Sequence, residues 1–385
     1  MATRIVLAGG LVFDGTGAPP RPADVAIEGT RFVEIGTGLA GDERVELDGA
    51  AVFPGFIDCH AHVSFGPPLD LEASAARSPS RNAFASIANL QATLDGGITT
   101  VRDAAGADAG YRDAIAAGEV RGPRLLVSLI QLSPSAGPYD GRTPSGFDTW
   151  LDVPGLPKPV ADGEDGLRAK VREVAQLGGD IVKIFATGHA AMPRDGARRA
   201  MFTDAELRAI VEEAGLRGMG VMAHAHGGAG AAAAARAGAT SIEHGFFLDD
   251  AAIDAIAETG AWFVPTLLAS LGTPETHALH RAAVGKAHRR GVKIAMGTDC
   301  PVQPHGTNLR ELELLTACGL SPTEALLAGT SLAAHLLGLE SEIGRIEAGY
   351  AADLVVAAGD PLDLVGLPAR VRRVYRDGRL VSSGP

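Results

Sequence analysis

Val52-Phe53-Pro54-Gly55-Phe56-Ile57-Asp58-Cys59-His60-Ala61-His62 decides how this chain is read. An apolar run with strand character ends in two histidines one residue apart. On an extended strand, residues i and i+2 share a face. His60 and His62 therefore point the same way, and an imidazole pair on a rigid strand end is suited to zinc, iron or nickel. An isolated pair is weak evidence, so the weight falls on what the other strand ends carry.

The chain has 385 residues, 46% of them hydrophobic and 21% charged, which is long enough and apolar enough for a large core and more than one domain. A net charge of -12 argues against a nucleic-acid partner, which selects a basic face. Three cysteines, Cys59, Cys300 and Cys318, imply no disulfide framework. No run reaches the roughly 18 uncharged apolar residues of a membrane span, and the N-terminus lacks a signal-peptide pattern. The expectation is a cytoplasmic protein.

Residues 54–345 alternate strand and helix. Eight strands are expected at Val52–Ile57, Thr99–Arg102, Arg124–Ser128, Asp180–Phe185, Gly220–Ala223, Thr240–Ile242, Ala261–Pro265 and Lys293–Met296. Between them, Asp204–Arg217 shows helical spacing, with Thr203 and Glu206 in a capping-box pattern. Gly179, Gly218, Gly238, Gly260 and Gly291 read as helix ends. Eight such units predict an α/β fold, a (β/α)8 TIM barrel. No Gly-x-Gly-x-x-Gly supports a doubly wound sheet instead. Residues 1–53 and 346–385 share short strands and turn signals such as Asp48-Gly49 and Asp377-Gly378. They predict a small β-sandwich domain built from both termini. The pattern-poor stretch 133–163 follows the third strand and reads as a substrate lid.

Barrel active sites lie at the C-terminal strand ends. Those ends carry His60 and His62, Arg102-Asp103, Lys183 within an apolar run, His224-Ala225-His226, Glu243-His244 and Thr298-Asp299. So many metal-capable groups on one face exceed what core packing requires.

The motifs Pro54-Gly55-Phe56-Ile57-Asp58-x-His60-x-His62, Thr99-Thr100-Val101-Arg102-Asp103, Ile181-Val182-Lys183-Ile184, Ala223-His224-Ala225-His226-Gly227, Ser241-Ile242-Glu243-His244-Gly245 and Gly297-Thr298-Asp299 resemble those of the amidohydrolase superfamily. The resemblance covers essentially the whole chain and is greatest to the imidazolonepropionase-like and Xaa-Pro dipeptidase-like branch, which includes ochratoxin-type hydrolases. It implies two divalent metal ions, zinc first. One is held by His60, His62 and Asp299, the other by His224 and His244. A carbon dioxide-derived carbamate on Lys183 and a hydroxide bridge them. Asp299 would act as general base and then acid in cleavage of an amide C–N bond of an N-acyl amino acid, dipeptide or related small molecule. Hydrolysis of a cyclic amide, carbamate, urea or lactone is the alternative, and a non-catalytic scaffold the remote one. Homo-oligomerisation is left open.

Where the branch carries Thr-Gly-Gly-His after the third strand, this chain has Ser135-Ala136-Gly137-Pro138 and then Tyr139. After the fourth it has Thr187-Gly188-His189. Tyr139, His189, His305 and Arg102 are the expected substrate contacts, with an Arg102–Asp103 ion pair as the other reading of Arg102. His226 is expected to be a hydrogen-bonded histidine, Glu243 structural, and Cys59 and Cys300 core fillers.

Overall fold

The computed structural model describes residues 3–66, 77–150, 152–189 and 194–383. The opening motif forms two strands rather than one. Ala51–Pro54 and Phe56–Ala61 lie in different sheets, and the chain changes sheet at Gly55. The reason is steric. The Gly55 N–H donates to the Asp353 carbonyl at 2.8 Å. A Cβ on Gly55 would stand 2.2 Å from Thr99 Oγ1. Only a residue without a side chain passes there.

Ala51–Pro54 runs antiparallel to Leu354–Ala357 and parallel to Leu11 and Val12. Both ends of the chain thus enter one eight-stranded sheet. Its spatial order is Arg379–Ser383, Val371–Arg376, Leu354–Ala357, Ala51–Pro54, Arg4–Val12, Arg21–Glu28 and Arg31–Gly36, with Glu43–Glu46 also paired to Arg4–Val12. The expected turns fall between strands. Asp48 and Gly49 take φ values of 51° and 78°, and they step the chain from Glu43–Glu46 to Ala51–Pro54 without reversing it, since both strands run parallel to Arg4–Val12.

The middle of the chain makes two parallel sheets. Phe56–Ala61, Ile98–Asp103 and Arg124–Val127 form the first. Gln131–Leu132, Val182–Phe185, Val221–Ala225, Ser241–His244, Trp262–Val264 and Lys293–Ile294 form the second. The third expected strand, Arg124–Ser128, ends the first sheet at Val127, and a further short strand at Gln131–Leu132, outside the expected set, opens the second. At the far edge, Cys59 N–H donates to Met296 O at 2.9 Å, Asp299 N–H donates to His60 O at 2.7 Å, and Ala61 bridges Cys300 in parallel. Phe56–Ala61, Val182–Phe185, Val221–Ala225 and Ser241–His244 are buried at every position, as parallel strands covered on both faces are.

Helix Asp204–Gly215 starts with the expected capping box. Gly218, Gly238, Gly260 and Gly291 have positive φ, but before the fourth parallel strand Gly178 takes that role instead of Gly179. A Cβ on Gly179 would meet Val174 Cγ1 at 2.6 Å. The described residues of 133–162 carry isolated bridges only. The segment folds back on itself through Ser133 N–H to Pro159 O at 3.0 Å and Ala161 N–H to Ser133 O at 3.2 Å.

Replacing Gly55 by Ala forces Thr99 or the chain itself to move. Gly55→Ala is expected to lower unfolding free energy by about 1–3 kcal/mol, the usual cost of overpacking. Denaturant unfolding checks this, and an unchanged midpoint would show that the crossing has slack.

Candidate metal centre

His60 and His62 leave the end of Phe56–Ala61, and Asp299 lies in the loop that follows Lys293–Ile294. Their Nε2 atoms stand 3.4 and 3.2 Å from the same Asp299 Oδ1. One ligand atom from each of the three residues falls within a 4.8 Å cluster. The other nitrogens are held by the protein. His60 Nδ1 is 2.7 Å from Glu243 Oε2, and His62 Nδ1–H donates to the Ala105 carbonyl at 3.0 Å. A histidine whose Nδ1 is tied to a carboxylate or carbonyl presents Nε2 in a fixed direction, the usual arrangement of a metal-binding imidazole. Burial opposes ionisation of Asp299, but hydrogen bonds from His60 and His62 outweigh it and hold the carboxyl well below the carboxylate range.

His224 and His244 come from the ends of Val221–Ala225 and Ser241–His244. The His244 ring centroid lies 4.6 Å from that of His60 and 4.5 Å from that of His224, so the imidazoles form a continuous row. Each again has one nitrogen engaged, His244 Nδ1 with Thr266 Oγ1 at 2.9 Å and His224 Nε2 with Gly188 O at 3.3 Å. Lys183 is fully buried, and its Nζ has no hydrogen-bond partner among the described residues. Burial pushes this ammonium down to about 8, against the pull of Glu243 and Asp299. The donor set fits divalent cations: a carboxylate, four imidazoles each with one nitrogen anchored outside the cluster, and an orphaned amine that gives up its proton readily.

Beneath the row lies a buried ionic brace. Arg102 Nη2 donates to both Glu243 oxygens at 3.0 and 3.2 Å, its Nε to Cys59 O at 2.6 Å and its Nη1 to Ser241 Oγ at 3.1 Å. Burial works against Glu243, yet Arg102 and His60 together hold it at about 2. Arg102 is fully buried with its donors spent inside the protein, which moves it from the expected substrate contacts to the support of His60. Its partner is Glu243, not Asp103, which accepts backbone N–H groups of Val63 and Ala105 instead. Asp58 is a second organiser that the sequence reading passed over. It accepts from His60 N, Thr298 N, Thr298 Oγ1 and Asn308 Nδ2 at 3.0, 3.1, 2.6 and 2.7 Å. The signal was present, because Asp58, His60 and His62 share one parity along the strand. Cys59 and Cys300 are buried, and burial pushes both thiols up.

The expected substrate contacts separate. The Tyr139 ring packs on Phe185 at 5.0 Å and Trp150 at 5.3 Å, and its hydroxyl accepts from Gln131 Nε2 at 3.1 Å. Phe185 in turn lies 4.4 Å from the His224 ring. His189 stacks on His224 at 5.8 Å with an interplanar angle of 7°. His305 is turned to Thr93, with Nδ1 2.9 Å from its Oγ1. The turn after Trp262–Val264 is braced from outside the row. Buried Glu311 accepts the N–H groups of Leu267 and Leu268 at 2.7 and 2.8 Å, and burial pushes its carboxyl to about 8.

The amidohydrolase family model matches residues 51–381. The chain belongs to the amidohydrolase family and is a hydrolase. An ochratoxinase of Aspergillus niger is 29% identical over 97% of this chain and 86% of its own length. An imidazolonepropionase of Rubrobacter xylanophilus is 27% identical over 87% of this chain and 84% of its own length. A prolidase crystallised with N-methylphosphonate-L-proline superposes with a TM-score of 0.89 at 34% identity, covering 99% of this chain and all of its own. These likenesses give the parallel sheets a TIM-barrel-type α/β fold. Among the described residues, no helix is long and apolar enough to cross a membrane.

Glu243→Gln weakens the acceptor that fixes His60. It is expected to lower divalent-metal affinity about 10- to 100-fold, measured by competition with a chelating dye. Equal affinity in the two proteins would show that His60 is oriented by its strand alone. Glu311 generates a pH dependence. Its folded value of about 8 lies above the ordinary 4.5, so the folded state holds an extra proton between those values. Its contribution to stability is complete below the ordinary value and is lost as pH rises to about 8. The melting temperature of Glu311→Gln should therefore fall less than that of wild type between mildly acidic and mildly alkaline pH. Parallel curves would sink this assignment.

Proposed function

We propose that this protein is a metal-dependent hydrolase that cleaves an amide C–N bond in a small molecule of the N-acyl amino acid or dipeptide class. One observation carries the reading. His60, His62 and Asp299 converge their ligand atoms, next to His224, His244 and a buried Lys183 with no partner among the described residues. His60, His62 and Asp299 would hold one cation and His224 and His244 a second. Zinc is the natural choice for so nitrogen-rich a set. Cations bound there supply Lewis acidity and make water a nucleophile near neutral pH.

The chain's own residues do the rest. The Lys183 amine, with its proton weakly held, adds to carbon dioxide, forming an N–C bond and releasing a proton. The resulting carbamate is an anion where an ammonium would repel two cations. Asp299, kept ionised, accepts the proton of the attacking water and passes it to the leaving nitrogen. Tyr139 and His189, on the His224 side, would take the part of the branch's missing histidine toward the scissile carbonyl or the substrate carboxylate. His305 shapes the loop after Asp299, and the segment 133–163 covers the mouth. In this reading the strands of residues 54–345 close into a (β/α)8 barrel, while residues 1–53 and 346–385 build a β-sandwich. Three unpaired cysteines fit a reducing, cytoplasmic compartment. A second reading, opening of a cyclic amide, is favoured by the likeness to imidazolonepropionase.

Metal analysis of protein purified without chelator tests the core of this. About two divalent ions per wild-type chain are expected, the arrangement of a two-metal hydrolase, with a lower content in Lys183→Ala. The wild type should also hydrolyse members of an N-acyl amino acid and dipeptide panel. One ion or none in wild type, unchanged in the variant, would overturn the binuclear reading.

A further inference from the structure

Tyr139 is held from three sides. Its ring packs on Phe185 at 5.0 Å and on Trp150 at 5.3 Å, and Trp150 Nε1–H donates to the Tyr139 carbonyl at 2.7 Å. Its hydroxyl accepts from Gln131 Nε2 at 3.1 Å. Among the described residues, that hydroxyl donates to no acceptor of its own. Burial pushes the phenol up, with the Asp299 carboxylate adding to it, so the proton stays on the oxygen. A buried tyrosine ordinarily spends its O–H on a partner. Here a lone pair is used and the proton is not.

Gln131 comes from the short strand Gln131–Leu132, beside Val182–Phe185, and its Cα is in register with that of Lys183. Side chains in register on parallel strands leave the same face of the sheet. Buried Gln131 therefore points into the interior that Lys183 enters. Phe185, two residues beyond Lys183 on the same face, carries the Tyr139 ring on to His224 at 4.4 Å. The phenol thus meets the centre from the His224 side, with the amide at its tip. An amide N–H donates and cannot accept. With Gln131 on one lone pair, the phenolic proton is kept from turning back toward it.

We propose that Gln131 is a positioning residue, whose amide fixes the Tyr139 hydroxyl as a hydrogen-bond donor to the oxyanion that develops on the scissile carbonyl oxygen. The phenol is neutral, and its packing partners Phe185 and Trp150 supply no cation. Such a donor suits charge that appears only as the carbonyl is attacked better than a standing carboxylate. No proton leaves Tyr139 in this role, and Gln131 touches neither substrate nor metal. The role rests on the reading of the chain as an amide hydrolase and adds the residue that sets the polarity of the phenol.

A double-mutant cycle tests it on the metal-loaded full chain. Wild type, Gln131→Met, Tyr139→Phe and the double variant are compared, each with its metal content measured. N-methylphosphonyl-L-leucine, whose phosphonyl oxygens imitate the oxyanion, is titrated calorimetrically into all four. Tyr139→Phe should weaken binding roughly 10- to 100-fold, and Gln131→Met roughly 3- to 10-fold. Gln131→Met should have no further effect once Tyr139 is Phe, because the amide acts only through the hydroxyl. On an amide that wild type hydrolyses, both single variants should lower kcat and leave KM nearly unchanged. Equal losses from Gln131→Met in the two backgrounds overturn the proposal. So does tighter binding by Gln131→Met, which would mean that the phenol had been donating to Gln131. A change confined to KM overturns it too, by placing the phenol on a ground-state group. Gln131→Leu stands in if Gln131→Met does not fold. Coupled losses in phosphonate binding without hydrolysis of any amide support the Gln131–Tyr139 pair while removing the amide reading. No binding of the phosphonate to metal-replete wild type removes both.

Discussion

The contact between Arg102 and Glu243 has no access to solvent, and the geometry of the row of imidazoles depends on it. Burying such a pair stabilises little, because desolvation offsets the attraction. Its effect is directional. Glu243 is held ionised by Arg102 from below and spends its other face on His60. The guanidinium also reaches the Cys59 carbonyl on the neighbouring strand and the Ser241 hydroxyl on a strand of the other parallel sheet. One planar cation therefore ties the strand carrying His60 to the strand carrying His244.

The ends of those strands are bent into positions that side chains seldom occupy. His244, Thr266 and Asp299 have φ values of 70°, 55° and 60°. Left-handed backbone at a residue with a Cβ costs about 1–3 kcal/mol and persists only where neighbours overdetermine it. The neighbours are visible. Thr266 pairs with the His244 ring, Glu311 holds the next two amides, and the Asp299 amide is tied to the His60 carbonyl. The strain turns short strand ends inward so that groups from distant parts of the chain face one point.

Much of this was legible in the sequence. His60 and His62 were legible because strand parity is a local rule. Lys183 stood out as a cation in an apolar run, but alone it reads as well as a lysine paired to a carboxylate, and only the other strand ends turn it toward the cluster. The helix start at Thr203 follows from four residues alone. What escaped was long-range. Arg102 has an acidic neighbour in Asp103, yet its partner lies 141 residues away. No local pattern distinguishes the two. The apolar run through residues 51–57 reads as one strand, although Pro54-Gly55, where one sheet ends and another begins, is a breaker pair. The added strand Gln131–Leu132 was hidden as well, since two residues are too few to show a period.

The crossing at Gly55 joins the terminal sheet to the ligand-bearing strand with no linker between them. Ala51–Pro54 is zipped to Leu354–Ala357, and the very next residues run on to His60. The C-terminal tail is thus mechanically in series with the centre, although it lies far along the chain. Proteolytic trimming of the last thirty or so residues would remove the strand that steadies residues 51–54 and slacken the anchor of the first two histidines. Tail integrity, by this route, becomes a condition for holding ligands that the tail never touches.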